Sequence, residues 1–329
     1  MFNYHSNYIY NYRQDGINLT KEESIVYHYT SPEGFLGILT SQNVRFTDIK
    51  YMNDRSEGVY FVKLLLDYID KNKNEYPSAA EVINRLLGEN NLEEIKTLKA
   101  TNIKYRLTEG KIEPARAFLF CTCVDADSLN MWNYYVKNGS YQGYNIGFRV
   151  DAFLETIAKM FPENNNISIY YGKVLYTLKQ QQEEIKNLLQ TIEDAANDNS
   201  LLNYAKSNAL ELYLKRYIDL YGVFYKHHKF AGEQEFRFVI EFDYEFSNRA
   251  ILDFRDWIDS SKTITEDFCI KNGIITPFLN VPFDKKTISR VYISPMTEFA
   301  IAKRSIKEII YKKGYRVFPV HQSKIPIRY

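Results

Sequence analysis

Two stretches carry residue types that can do chemistry: Gly232-Glu233-Gln234-Glu235-Phe236-Arg237-Phe238 and Tyr27-His28-Tyr29-Thr30. On a strand, alternation puts Glu233, Glu235 and Arg237 on one face and Phe236 and Phe238 on the other. Two readings are open there: a solvated strand face cross-linked by its arginine, or a carboxylate held by Arg237 at the mouth of a cleft. In the other stretch Val26 and His28 share one face while Tyr27 and Tyr29 share the opposite one. His28 sits at the strand end beside Thr30 and Ser31, either as a satisfied core histidine or as a pocket residue.

Further candidates lie between these two. Asn53, Asp54 and Glu57 form a helix-start turn, where anionic groups favour the exposed N–H groups, or they line a cleft. Met131-Trp132 and Tyr134-Tyr135 make either a core corner or a wall on which a planar ring stacks. Cys121-x-Cys123 with His227-His228 resembles a zinc set only loosely; a spacing of one residue puts both thiols on one face of an apolar strand, which favours packing, and no metal is expected. Asp54, Glu57, Glu233 and Glu235 are hard ligands that suit Mg²⁺ or Mn²⁺, so a metal-dependent phosphodiesterase is one alternative. Walker, dinucleotide-fingerprint and His-Glu-x-x-His patterns are absent.

The elements that must position these residues follow from periodicity and turn chemistry. Ile25 to Tyr29 reads as a strand, Ser31 as the cap of a helix with Pro32 at its first position, and Val44 to Thr47 as a second strand. Helices are expected through Leu64 to Leu66 and over 78–88 and 91–107. A buried strand at 117–123, a short helix after Asp127, and a strand at 144–150 follow. Next come a helix at 151–160, a strand at 168–176, and a long helical region at 178–221 broken near Asn197 to Ser200; its Gln180 to Glu184 run reads as a solvated face. The end is β-rich, with strands at 236–242, 268–275, 288–294 and 315–320, and a helix over 298–312 stopped by Gly314.

Totals bound the class. The 329 residues, 45% hydrophobic, fill a substantial core, and 42 Lys+Arg against 41 Asp+Glu leave no global basic field for nucleic acid or an anionic membrane. Twenty-eight tyrosines offer rings that pack while presenting hydroxyls. Three cysteines do not make a disulfide framework, and no apolar run or signal pattern announces a membrane, so a cytoplasmic home is expected. Residues 1–24 read as an N-terminal arm and 25–329 as a single domain with helical inserts at about 54–110 and 178–222.

The order Tyr-His-Tyr-Thr-Ser (27–31), Asn-Asp-x-x-Glu (53–57), Met-Trp-x-x-Tyr (131–135), Glu-x-Glu-x-Arg (233–237) and Ser-x-Ile-Pro-x-Arg (323–328) resembles an uncharacterised bacterial domain family, over roughly 25–329. That family in turn resembles the ADP-ribosyltransferase superfamily, which opens with a strand bearing His or Arg and closes its site with a strand bearing Glu. The resemblance implies an α+β fold with a mixed, largely antiparallel, split-sheet core and two inserted helical regions. It implies NAD as substrate and either ADP-ribose transfer or NAD cleavage, in the manner of toxins and phage-defence effectors. His28, Glu235 and Tyr135 are then the catalytic set, with Tyr144 the rival of Tyr135 for the ring-packing position. Glu235 would stabilise the oxocarbenium-like sugar as a carboxylate does in glycoside cleavage, His28 would hydrogen-bond the ribose or adenosine side, and Trp132 or Tyr135 would stack on a ring. Tyr29, Thr30, Asn53, Asp54, Glu57, Trp132, Glu233 and Arg237 would bind substrate, and a protein, a nucleic acid or water would accept the sugar. A regulator protein is a further expected partner. A non-enzymatic nucleotide- or protein-binding module is the other alternative; it would saturate without turnover.

Overall fold

The computed structural model describes residues 6–51, 57–87, 116–136, 142–161, 167–198, 203–242, 264–271 and 273–326. Its strands are β1 (Ile9–Asn11), β2 (Ile25–Thr30), β3 (Asn43–Asp48), β4 (Arg116–Cys123), β5 (Tyr144–Arg149) and β6 (Ile167–Lys173). Then come β7 (Glu235–Phe242), β8 (Thr265–Lys271), β9 (Ile274–Pro282), β10 (Ile288–Ile293) and β11 (Val320–Gln322). The helices are α1 (Tyr12–Asp15), α2 (Pro32–Ser41), α3 (Glu57–Asn72), α4 (Pro77–Leu87), α5 (Leu129–Tyr135), α6 (Val150–Met160), α7 (Leu178–Asn197), α8 (Asn203–Tyr221) and α9 (Phe299–Lys312).

The strands form one open sheet in a mixed α/β fold, with every pairing antiparallel except β10 with β11. The main path runs β1-β6-β7-β4-β2-β5-β10-β11. β4 is a branch point: Cys123 lies against Tyr27 of β2, while Phe118 and Leu119 lie against β3, which leads on to β9 and β8. The two branches diverge around a core that includes Val26, Phe46, Phe120, Phe148, Phe238 and Leu279, closed by Phe153 of α6 and Ile306 of α9. Phe120 is its hub, with its ring against those of Phe46, Phe148, Phe153 and Phe238. Truncating so central a ring costs about 3–5 kcal/mol in comparable cores.

Local chemistry sets the element starts. Ser31 Oγ accepts from the Gly34 N–H at 3.2 Å with Pro32 in the first turn, the expected cap of α2. Thr177 caps α7 in the same way. The expected break in the long helical region falls between α7 and α8.

The two helical inserts, far apart in sequence, share one apolar core: Phe61 and Leu65 of α3, Val82 of α4, Leu188 of α7 and Leu214 of α8 are all buried in it. Each amphipathic helix covers the stripe that another would leave wet. The expected helix at 91–107 lies outside the described residues.

Several expectations are corrected. The 268–275 strand is the middle of a hairpin, with Lys271 opposite Ile274 and Gly273 at φ +76°, a left-handed turn position. The last strand covers 320–322 rather than 315–320, because Tyr315 and Phe318 turn their rings into the core instead of alternating. The Gln180–Glu184 run is not wholly solvated: Gln181 and Glu184 are fully buried. Gln181 Nε2 donates to the Leu175 and Lys226 carbonyls, and Glu184 accepts from Asn7 N–H, so polar groups here stitch the helix to loops. The N-terminal arm adds a sheet edge, β1 on β6.

Candidate functional site

Glu235 opens β7, and the turn before it shapes the site. A 3-10 segment, His228–Glu233, ends at Gln234, whose φ of +44° is unusual for a residue with a Cβ. This left-handed step turns Glu233 back beside Glu235, so the two carboxyls meet through a bend rather than through strand alternation. Opposite them, Leu175 and Tyr225 form an isolated bridge, extended by Lys226 N–H to Leu175 carbonyl at 3.2 Å. The bridge delivers Lys226 and Tyr176 to the same place.

The geometry is tight. Lys226 Nζ lies 2.5 Å from Glu233 Oε2 and 2.7 Å from Glu235 Oε1. Arg237 Nε donates to Glu235 Oε2 at 2.7 Å and its Nη1 to the Val223 carbonyl. Glu235 and Arg237 are only 2% and 1% exposed, so the solvated-strand reading is replaced by a buried charge network. Lys226 also stands 5.0 Å from the centre of the Phe230 ring.

Electrostatics drives the two carboxyls apart. Burial raises Glu233, the hydrogen bond to Glu235 adds to it, and Lys226 only partly offsets them, so Glu233 is pushed up to about 7. Burial would also raise Glu235, but the Arg237 guanidinium, the hydrogen bond from Glu233 and Lys226 outweigh it and hold Glu235 well below the usual carboxylate range. Near neutral pH Glu235 is ionised while Glu233 titrates. The pair behaves as one coupled unit.

Two tyrosines complete the cluster. Tyr135 is 40% exposed as a residue, but crowding at its phenol end, then the charge of Glu235, raises that phenol above its ordinary value. Tyr176, shifted up by the same two causes, accepts the Glu235 N–H at 3.1 Å. Glu235 and Tyr176 form part of the wall of a half-open cavity of about 550 Å³, within the size range of small-molecule sites. Its far wall comes from the arm, including Tyr8, Tyr10, Asn18 and Thr20, with the Lys173–Glu23 ion pair at 3.2 Å in its lining.

His28 is not brought to this cluster. Tyr27, Cys123 and Glu235 stand directly opposite one another across β2, β4 and β7 and so share a face, which sends His28 to the opposite face. The backbones lie only two strand spacings apart, roughly 10 Å, yet the side chains point away from each other. His28 packs on Phe120, and its Nδ1 donates to the Cys121 carbonyl at 3.3 Å, which leaves Nε2 as an acceptor. Burial lowers it to about 4, so the ring is neutral at pH 7.

Other expected site residues have structural partners. Trp132 is fully buried, its Nε1 donating to Asp127 at 2.9 Å and its ring edge-on to Tyr29; the stacking wall expected of it is a core corner. Tyr29 is buried too, its hydroxyl donating to the Asp125 carbonyl and accepting Ser128 N–H. Asp127 also accepts from Ser323 Oγ at 2.6 Å and Lys324 N–H at 2.7 Å, which joins the Met-Trp and Ser-x-Ile-Pro stretches through one carboxylate. Thr30 is half-buried at the end of β2, and Tyr144 stacks on Phe35 with ring centres 4.3 Å apart. Asn53, Asp54 and the Glu57 side chain lie outside the described residues, as does Arg328. Neither Cys121 nor Cys123 is in a disulfide; burial pushes Cys123 up to about 12, which keeps it inert. Among the described residues no group of three or more metal-ligating side chains occurs.

Sequence reading missed Lys226 and Tyr176. Neither belongs to a motif, and the bridge that aligns them joins segments some fifty residues apart.

Residues 131–238 match a family described as "Protein of unknown function (DUF2971)". The matched stretch, about a third of the chain, runs from α5 into β7 and so contains Tyr135, Tyr176, Lys226, Glu233, Glu235 and Arg237. No curated protein and no solved structure matches the chain. Among the described residues no helix is long and apolar enough to cross a membrane.

Proposed function

We propose that the protein cleaves the bond between ribose and nicotinamide in NAD, passing ADP-ribose to a macromolecular acceptor or to water. The observation that carries this reading is a pair of adjacent carboxyls whose surroundings drive their ionisation apart, one raised and one lowered, beside a cavity in the size range of small-molecule sites. Pairs whose environments drive their pKa values apart divide the labour of glycosyl transfer. The electron pair of the broken C–N bond leaves with nicotinamide, which becomes neutral and needs no acid. Ionised Glu235 stabilises the positive sugar. Glu233, titrating near 7, takes the proton from the attacking acceptor. Lys226 occupies one Glu235 oxygen, so the sugar cation takes its place as it forms, while Arg237 holds the other. In this scheme His28, on the other face, supports the β2–β4 junction rather than the ribose.

The test incubates full-length wild-type, Glu233→Gln and Glu235→Gln protein with NAD and cell lysate, and reads nicotinamide release and labelled acceptor. Wild-type release that falls about 10²–10³-fold in Glu235→Gln supports the reading. Background release from the wild type, or equal release from all three, overturns it. Glu233→Gln keeps the neutral shape of the protonated carboxyl and remains informative where Glu235→Gln unfolds.

A second reading, a nucleotide- or protein-binding module, is favoured by one observation: both oxygens of Glu235 are already engaged. Saturable NAD binding without product distinguishes it.

A further inference from the structure

Among the described strands β8 pairs with β9 alone, so its outer edge presents a row of backbone N–H and C=O groups that none of them takes up. On one face of this hairpin Phe268, Ile270 and Ile275 are 62%, 80% and 67% exposed, with Ile270 directly opposite Ile275. The strand Thr265-Glu266-Asp267-Phe268-Cys269-Ile270-Lys271 holds no proline and shows no bulge in its pairing with β9. An edge with no proline or bulge to block it, flanked by exposed apolar side chains, is a template for another strand.

We propose that this edge pairs antiparallel with the same edge of a second copy of the chain, on a two-fold axis at Cys269. A two-fold antiparallel pairing must set one residue opposite itself, and the candidates can be compared by their charges. An axis at Asp267 opposes two aspartates. An axis at Phe268 sets Asp267 against Cys269 and Glu266 against Ile270, leaving both acids unpaired. An axis at Ile270 sets Lys271 against Cys269. The axis at Cys269 alone sets Asp267 against Lys271 of the partner, twice, and Phe268 against the partner's Ile270, twice. Alternation keeps each pair on a common face, charges on one and apolar side chains on the other. The two Cys269 Cα atoms then lie about 5 Å apart, within reach of a disulfide.

The test uses the full chain. Sedimentation of the wild type over a concentration series is expected to show a reversible dimer, with circular dichroism confirming that each variant is folded. Mild oxidation by copper phenanthroline and oxygen removes two electrons and two protons from the facing thiols, and peptide mapping is expected to find the Cys269–Cys269 link. Asp267→Lys sets lysine against lysine and raises the dissociation constant about tenfold; adding Lys271→Asp restores it. A monomer at every concentration, a link through Cys121 instead, or a dimer indifferent to both charge variants overturns the proposal.

Discussion

At the scale of single residues, the site turns on how two glutamates two positions apart come to differ. Gln234 in the left-handed region folds Glu233 against Glu235, while Arg237 and Lys226 decide which of them keeps a proton. For stability, the folded state holds the Glu233 proton more tightly than the unfolded chain, whose ordinary value is 4.5. Its contribution is therefore complete below about 4.5 and lost as pH rises through about 7. Glu235, lowered by folding, contributes in the opposite sense: its share is present above the ordinary value and lost as pH falls. Melting temperatures measured from pH 4.5 to 8 should show the wild type losing stability relative to Glu233→Gln across that window; parallel curves would reject the assignment. In its proposed role as base, Glu233 should make kcat/KM for NAD cleavage fall below about pH 7, and Glu233→Gln should flatten that limb at a lower rate. Lys226→Met removes the shared ammonium from a buried network and should lower urea stability by about 3–5 kcal/mol.

At the scale of elements, the arm is held by a close approach that only glycine permits. A Cβ on Gly172 would stand 2.3 Å from the Tyr8 carbonyl oxygen and 3.2 Å from Ile9 Cα, both backbone atoms. Gly172→Ala should therefore lift β1 off β6 and open the arm wall of the cavity. Faster hydrogen exchange over residues 8–11, with the β7 amides unchanged, is the expected signature; unchanged exchange at 8–11 would show that the arm is held elsewhere. Strands with clear alternation, such as β2 and β3, and the capped start of α2 are legible in the sequence because local chemistry specifies them. The β8–β9 turn is less legible, since an apolar run continuing past positions 272–273 imitates one longer strand. The site is half legible. Glu233, Glu235 and Arg237 lie within one short motif, but their burial depends on the bridge between Leu175 and Tyr225. His28 illustrates the limit: alternation assigns it correctly to the Val26 face, yet only strand register reveals that Glu235 occupies the other.

At the scale of the whole molecule, the site lies where the branched sheet meets the helical core built from both inserts. Their shared core explains why two insertions that the strands β4 to β6 separate in sequence form one body: neither buries its apolar stripe alone. One link from that body to the site is a buried side chain. Gln181 of α7 donates through Nε2 to the Leu175 carbonyl at 2.6 Å and to the Lys226 carbonyl at 2.9 Å, and its Oε1 accepts from the Tyr60 hydroxyl of α3 at 3.0 Å. It ties both helical inserts to the bridge that aims Lys226 and Tyr176 at Glu235. Gln181→Leu keeps the volume and helix propensity of the position while stripping its hydrogen bonds, so helical content should not change. The buried groups left without a partner should cost about 1–3 kcal/mol. If the helical core acts on the site through this residue, amide protection at Lys226 should fall together with NAD turnover. Lost stability with protection at Lys226 intact would instead make Gln181 a packing residue and leave the aim of Lys226 to the strand bridge alone.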